Sequence, residues 1–257
     1  MAAPSTPSES TSAAVTRTPC TAATRTPTVA VLALQGAFAE HKTKLARLGC
    51  NTLELRQASD LQQPFDALVL PGGESTVQAK LLRELGMIEV LRARIAAGLP
   101  VLGTCAGLIL LAEHVISASD GRRCEPLPTS ALAPARVSTS APARTSAPGD
   151  VTTVEGFNTL PITVLRNGYG RQLGSFAAHA PLADTTEPET THTHDIPLVF
   201  IRAPRITSLS PGVEPLIEFD GEPVAVRFGN QIGCTFHPEL TDDDTIYRLL
   251  LNSIRRL

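Results

Sequence analysis

Short apolar runs alternate along this chain with stretches whose apolar residues recur every three or four positions. The run "TVAVLALQG", 28–36, closes on a glycine, and after it Phe38, His41, Leu45 and Leu48 recur at helical spacing as far as Gly49. That sequence of patterns predicts a buried strand, a turn and an amphipathic helix with a glycine stop. The unit then returns. "NTLELR" predicts a second strand and "DALVLPGG" a third, the latter ending in a glycine pair. Ser75 or Thr76 is placed to cap one helix, whose apolar stripe runs through Val77, Leu81, Leu82, Leu85, Ile88, Leu91 and Ile95. "LPVLG" predicts a further strand and "AGLILLAEHV" a further helix. Strands alternating with helices imply an α/β fold, a mostly parallel sheet covered on both faces.

From Ser117 to Glu155 the periodicity stops. "LPTSALAPARVSTSAPARTSAPGD" is rich in Pro, Ala, Ser and Thr, a composition that predicts a disordered surface insertion over 117–155. A smaller polar interruption, "DTTEPETTHTHD", spans 184–195. Around these, "LPITVLR", "PLVFIRAP", "PLIEFD", "PVAVRFGN" and "QIGCTFHPE" read as short strands joined by turns. A last helix is expected over 242–256, opening on Asp242, Asp243 and Asp244, with Ile246, Leu249, Leu250 and Ile254 on one face and Arg255 and Arg256 at its end. Acids first and bases last suit the helix dipole. Residues 1–27 lack the apolar centre of a secretory signal. Their Ser/Thr/Ala/Arg bias resembles an organelle transit peptide, but Pro4, Pro7, Pro19 and Pro27 interrupt the helix such a peptide needs, so the segment reads as a disordered tail. One domain is expected over 28–257.

Composition narrows the class. In 257 residues, 42% hydrophobic content is enough for a real core, yet no stretch approaches the roughly 18 apolar residues of a spanning helix. A net charge of −3 supplies no global basic field for nucleic acid or anionic lipid, which leaves a small molecule or a protein as the expected partner. The five cysteines, Cys20, Cys50, Cys105, Cys124 and Cys234, form no CxxC pair, which argues for a reducing, cytoplasmic setting and against a disulfide framework or zinc site. His192, His194 and Asp195 of "THTHD" sit in a polar loop with no second ligand cluster and read as solvated. His41 and His114 on helical faces, and His179, are read as ordinary structural or solvated histidines. Cys234 is expected to pack within its strand.

Three motifs carry candidate chemistry. "GTCAG", 103–107, has the form of a strand-to-helix nucleophile elbow with cysteine in place of serine, its flanking glycines leaving room for a tight turn. Cys105 is then either a small hydrophobe or a nucleophile whose thiolate is favoured by a helix N-terminus, with the Ala106 N–H free to hold an oxyanion. In "CTFHPEL", 234–240, His237 and Glu239 are two residues apart, so in an extended strand end both point the same way and the carboxylate can orient the imidazole. A surface turn before Pro238 is the other reading of His237. In "LPGGEST", 70–76, Gly72 and Gly73 allow a ligand close to the backbone, and the helix that follows favours a carboxylate. It lacks the lysine of a phosphate loop.

Taken together, "LALQG", "LPGGEST", "GTCAGLILLA", "RNGYGRQLGSF", "VFIRAPRI" and "GCTFHPELT" resemble the glutaminase subunits of two-component pyridoxal 5′-phosphate synthases, within the class I glutamine amidotransferases. The likeness runs in order through about 29–116 and 156–257. It implies a three-layer flavodoxin-like fold and hydrolysis of L-glutamine without a cofactor or metal. It also implies a hetero-oligomer with a synthase subunit that builds the product from ribose 5-phosphate and glyceraldehyde 3-phosphate. By motif matching it implies Cys105 as nucleophile, His237 as proton shuttle and Glu239 as its orienting acid. Gly73 and Ala106 would supply oxyanion N–H groups. Gly73, Glu74, Ser75, Arg166, Ile201 and Arg202 would hold the substrate, and Gln35 and Gly36 would serve activation and partner contact. The tail, the insertion, and Gly174 and Ala177 where relatives carry acids depart from the pattern. Two alternatives stay open: a glutaminase serving another synthase, and a catalytically silent subunit of the same fold.

Overall fold

In the computed structural model of the chain, residues 25–117, 155–168, 175–183 and 195–255 are described. The first half runs β1 (Thr28–Leu32), α1 (Phe38–Arg47), β2 (Asn51–Leu55), β3 (Ala67–Leu70), α2 (Ser75–Glu84), α3 (Ile88–Ala96), β4 (Val101–Thr104), α4 (Ala106–Leu111) and β5 (Ala112–Ser117). The second half runs β6 (Leu160–Arg166), β7 (Ser175–Pro181), β8 (Asp195–Ile201), β9 (Arg205–Leu209), β10 (Glu214–Phe219), β11 (Glu222–Phe228), β12 (Gln231–Cys234) and α5 (Thr245–Ile254). The central sheet has the order β10-β11-β12-β4-β3-β1-β2. Its strands β12, β4, β3, β1 and β2 are parallel, while β10 and β11 extend it antiparallel. Strands β5, β6 and β9 form a small separate sheet, and β7 pairs with β8 as an antiparallel ribbon.

The period of two along these strands divides the core. Ala30, Leu32, Leu68 and Leu70 face one layer with Leu82, Leu91 and Leu108 from α2, α3 and α4. Val29, Val31, Ala67 and Val69 face the other with Leu45, Ile246 and Leu250 from α1 and α5. Each fully buried leucine contributes roughly 2 kcal/mol, so these two stripes, rather than the propensity of strands four or five residues long, hold the layers. The result is the three-layer, flavodoxin-like α/β arrangement.

Two helices differ from the pattern's expectation. The stripe from Val77 to Ile95 forms two helices, because Gly86 adopts φ +65° and ends α2 with Gly86 N–H donating to Arg83 O at 3.0 Å and Met87 N–H to Leu82 O at 2.9 Å. Neither Ser75 nor Thr76 caps α2; Glu74 precedes it, its own N–H held by Gln35 Oε1 at 2.7 Å, and Val77 is exposed rather than part of the stripe. The expected helix "AGLILLAEHV" ends at Leu111, and its remainder pairs as β5 with β6, tertiary pairing of Val115 and Ile116 overriding local preference. "SFAAHAP" forms β7, a strand the pattern did not announce. Residues 1–24 of the expected tail (1–27), most of the expected insertion (118–154), 169–174 and 184–194 lie outside the described residues, with Gly174, His192 and His194 among them. Among the described residues no helix is long and apolar enough to cross a membrane.

Candidate active site

Four neighbouring strands deliver the candidate residues to one edge of the sheet. Gln35 and Gly36 follow β1, Gly72 to Ser75 follow β3, Cys105 follows β4, and His237 follows β12. This is the carboxyl edge, where parallel α/β sheets bind ligands.

Cys105 sits between β4 and α4 at φ 47°, ψ −99°, a left-handed conformation costing a non-glycine residue about 1–3 kcal/mol. Hydrogen bonds on both sides hold it there. Cys105 N–H donates to Cys234 O at 2.9 Å, and Cys105 O accepts from Ile109 N–H at 3.2 Å. The sulfur, 3.9 Å from Ile201 O, is buried with the rest of the residue. Cys50 and Cys234 are also buried and free; burial raises both thiols, that of Cys234 well above its ordinary value with Glu239 and Cys105 adding to the rise. Both therefore stay protonated at neutral pH.

His237 and Glu239 lie where the chain leaves β12. The His237 backbone N–H donates to Val199 O of β8 at 2.8 Å, and its Nδ1–H donates to Glu239 Oε1 at 2.6 Å. With Nδ1 so committed, the buried Nε2, which has no hydrogen-bond partner among the described residues, is the nitrogen left to face a substrate or the sulfur. Burial alone would lower the His237 imidazole; the adjacent Cys105 side chain and the Glu239 carboxylate outweigh it and raise it to about 10. A value raised from 6.5 favours the folded state fully below pH 6.5, and that contribution fades as pH climbs through about 10. Burial would raise Glu239, but the His237 hydrogen bond and the facing His41 hold it below the usual carboxylate value, so its contribution is lost as pH falls.

The remaining predicted residues surround this group. Gly72 lies against the imidazole so closely that a Cβ there would come within 2.4 Å of His237 Cε1. Gly36 abuts Gly72 in turn, and a Cβ at Gly73 would stand 2.4 Å from Gln35 Oε1. Gln78, which the sequence did not single out, donates from Nε2 to Gln35 O at 2.8 Å and Pro71 O at 3.2 Å and so joins the β1 and β3 loops. Ser75 is buried in the first turn of α2, and Ala106 is buried as the first residue of α4. Arg166 reaches across from β6 to Glu74, 2.9 Å from Nη2 to Oε1. Ile201 lies beside the sulfur, and Arg202 follows at φ 45°. A second histidine belongs to this neighbourhood. His41 of α1 is fully buried with Nε2 3.5 Å from Glu239 Oε2.

A strand-to-helix elbow, a histidine–glutamate pair and a glycine loop at the carboxyl edge of a three-layer sheet give the layout of the glutamine amidotransferase fold. The model of the SNO glutamine amidotransferase family matches residues 31–125 and 145–255, and the chain belongs to that family. It is 46% identical over 226 residues to pyridoxal 5′-phosphate synthase subunit PdxT of Desulfitobacterium hafniense, covering 88% of this chain and 92% of that one. The subunit of the same name from Methanocorpusculum labreanum is 42% identical, covering 88% of this chain and 97% of the relative. A crystal structure described as a glutamine amidotransferase superposes with a TM-score of 0.69 at 33% identity, covering 88% of this chain and 98% of that one. PurLQS from Thermotoga maritima shares the fold, with a TM-score of 0.54 at 15% identity over 90% of this chain and 99% of the other.

Proposed function

We propose that this chain is the glutaminase subunit of a pyridoxal 5′-phosphate synthase: it hydrolyses L-glutamine to L-glutamate and ammonia and passes the ammonia to a synthase subunit in the cytoplasm. The single observation that carries this reading is the meeting of the left-handed Cys105 elbow with the His237–Glu239 pair at the carboxyl edge of the sheet. Family membership and the names of the relatives select glutamine as the amide and the vitamin B6 enzyme as the recipient.

Each step balances with side chains and water. Cys105 Sγ attacks the side-chain amide carbon of glutamine with the shared proton already on His237 Nε2, because the raised imidazole is protonated at neutral pH. The oxyanion that forms is held by the N–H groups of Gly73 and Ala106. His237 then delivers its proton to the leaving nitrogen, the carbon–nitrogen bond breaks, and ammonia departs from a γ-glutamyl thioester. Water gives a proton to His237 and attacks the thioester; glutamate leaves, Cys105 Sγ is released, and the proton stays on His237 for the next cycle. Through both halves Glu239 holds Nδ1–H and so keeps Nε2 aimed at the reacting atoms.

Gly73, Glu74, Ser75, Ile201 and Arg202 border the place the amino acid would occupy, and Arg166 supplies the counter-charge for its α-carboxylate. The Arg166–Glu74 pair is half-exposed and worth at most about 1 kcal/mol, so a charge-assisted hydrogen bond to substrate can displace it. Gln35 and Gly36, packed against the loop that carries Gly73, transmit docking of the synthase to the oxyanion groups. A site completed on docking would avoid idle loss of glutamine. The test is glutamate release in the presence of the synthase subunit. Arg166→Ala is expected to raise KM about 10- to 100-fold with kcat changed far less, and an unchanged KM would remove Arg166 from the substrate site.

A further inference from the structure

Behind Glu239 lies a polar chain that none of the steps above uses. His41 projects from α1 and is fully buried, as is Tyr247 from α5. Tyr247 Oη is 2.7 Å from His41 Nδ1, and His41 Nε2 stands 3.3 Å from Thr104 Oγ1 and 3.5 Å from Glu239 Oε2. That carboxylate oxygen is itself buried and among the described residues makes no hydrogen bond, so the His41 ring nitrogen is the polar group that faces it. Thr104 immediately precedes the nucleophile candidate, so the chain touches both halves of the site.

We propose that His41 and Tyr247 are positioning residues for the reaction: Tyr247 fixes the tautomer of His41, whose Nε2–H then holds the Glu239 carboxylate square to His237. An ionised carboxylate only accepts, so the ring nitrogen facing Oε2 must carry the hydrogen if the contact is to be attractive. A neutral imidazole has one such hydrogen, which leaves Nδ1 as the acceptor for the Tyr247 hydroxyl. Burial raises Tyr247 and keeps that hydroxyl protonated. Burial also lowers His41, against the opposing pull of Glu239, and keeps it neutral. The other charged groups nearby do not reverse this. His237 lowers His41 further and Glu40 on its own helix raises it slightly, while Lys44, 6.0 Å from the Tyr247 ring centre, is paired with Asp244 at 3.1 Å. With Oε2 held from behind, Oε1 remains for His237 Nδ1–H.

This inference rests on the glutaminase reading, and its test has one arm that does not. Proton–nitrogen correlation spectra of the native chain should show His41 as the neutral Nε2–H tautomer, and Tyr247→Phe, which keeps the ring, should shift it toward a mixture. In turnover with the synthase subunit, His41→Leu should lower kcat about 10- to 100-fold with little change in KM. Its acid limb in kcat/KM should move to higher pH, because the buried carboxylate has lost a stabilising donor and ionises less readily. His41→Gln, which retains an N–H, should recover much of both. Tyr247→Phe should show a smaller loss in the same direction. A native Nδ1–H tautomer would overturn the proposal. So would an unchanged pH profile and kcat in Tyr247→Phe, or a Gln variant no better than Leu. If the native chain releases no glutamate while His41 shows the expected tautomer, the functional reading fails and the hydrogen-bond assignment stands.

Discussion

Cys105→Ala is expected to abolish glutamine hydrolysis, by a factor on the order of 10⁴ or more, while leaving the fold in place. The size follows from what the side chain does in the proposed reaction. Without sulfur no thioester forms. What survives is binding and oxyanion stabilisation acting on water. The substitution costs little structurally, because the residue's left-handed geometry is held by backbone hydrogen bonds to Cys234 and Ile109 that do not involve the side chain. Circular dichroism should be unchanged and glutamate release absent. Residual turnover within tenfold of the native rate would mean that another group carries the chemistry, although burial keeps the thiols of Cys50 and Cys234 protonated.

Gly107→Ala should have the largest effect on stability, about 3 kcal/mol. A Cβ at this position would lie 2.0 Å from Leu70 O and 2.7 Å from Leu70 C, which are backbone atoms of β3 and cannot rotate away. Helix α4 would have to lift from the sheet, and it carries Leu108, Leu110 and Leu111, all fully buried. A lowered melting temperature with a matching fall in denaturation midpoint checks this. Stability within about 0.5 kcal/mol of native would show that the helix can move at little cost. This close approach gives the second glycine of "GTCAG" a reason beyond room for the nucleophile: it sets how near α4, and the cysteine at its head, can stand to β3.

How much could be read from sequence depended on whether the signal was local. Strands β1, β3 and β4 were legible because each is an apolar run buried on both faces, and α1 because its stripe ends on Gly49. The break at Gly86 was locally encoded but masked by apolar residues that kept helical spacing on either side. Strand β5 was not legible, since "AEHVIS" takes its form from pairing with β6, whose sequence lies beyond residue 159. For the site, "GTCAG" pointed to the elbow through its spacing, whereas the histidine–glutamate pair of "CTFHPEL" forms by a different route from the extended strand end expected: β12 stops at Cys234 and Pro238–Leu240 make a 3-10 turn that brings Glu239 Oε1 to His237 Nδ1. His41 read as part of an apolar helical face, and the stripe did place it inward. What no pattern disclosed was its partners, which arrive from residues 104, 239 and 247. A polar ring on an apolar stripe must find hydrogen bonds, and that was the available signal. The contact of Gly72 with the His237 ring is tertiary in the same way.

The central claim is that nitrogen from glutamine travels through this chain to a synthase. It is tested most directly by supplying the assembled complex with the two sugar phosphates and glutamine carrying heavy nitrogen at its side-chain amide, with no added ammonia. The account predicts heavy nitrogen in the pyridoxal 5′-phosphate formed, and none when Cys105→Ala replaces the native chain. Absence of the label, in a complex whose assembly is verified and which makes product from free ammonia, would contradict it.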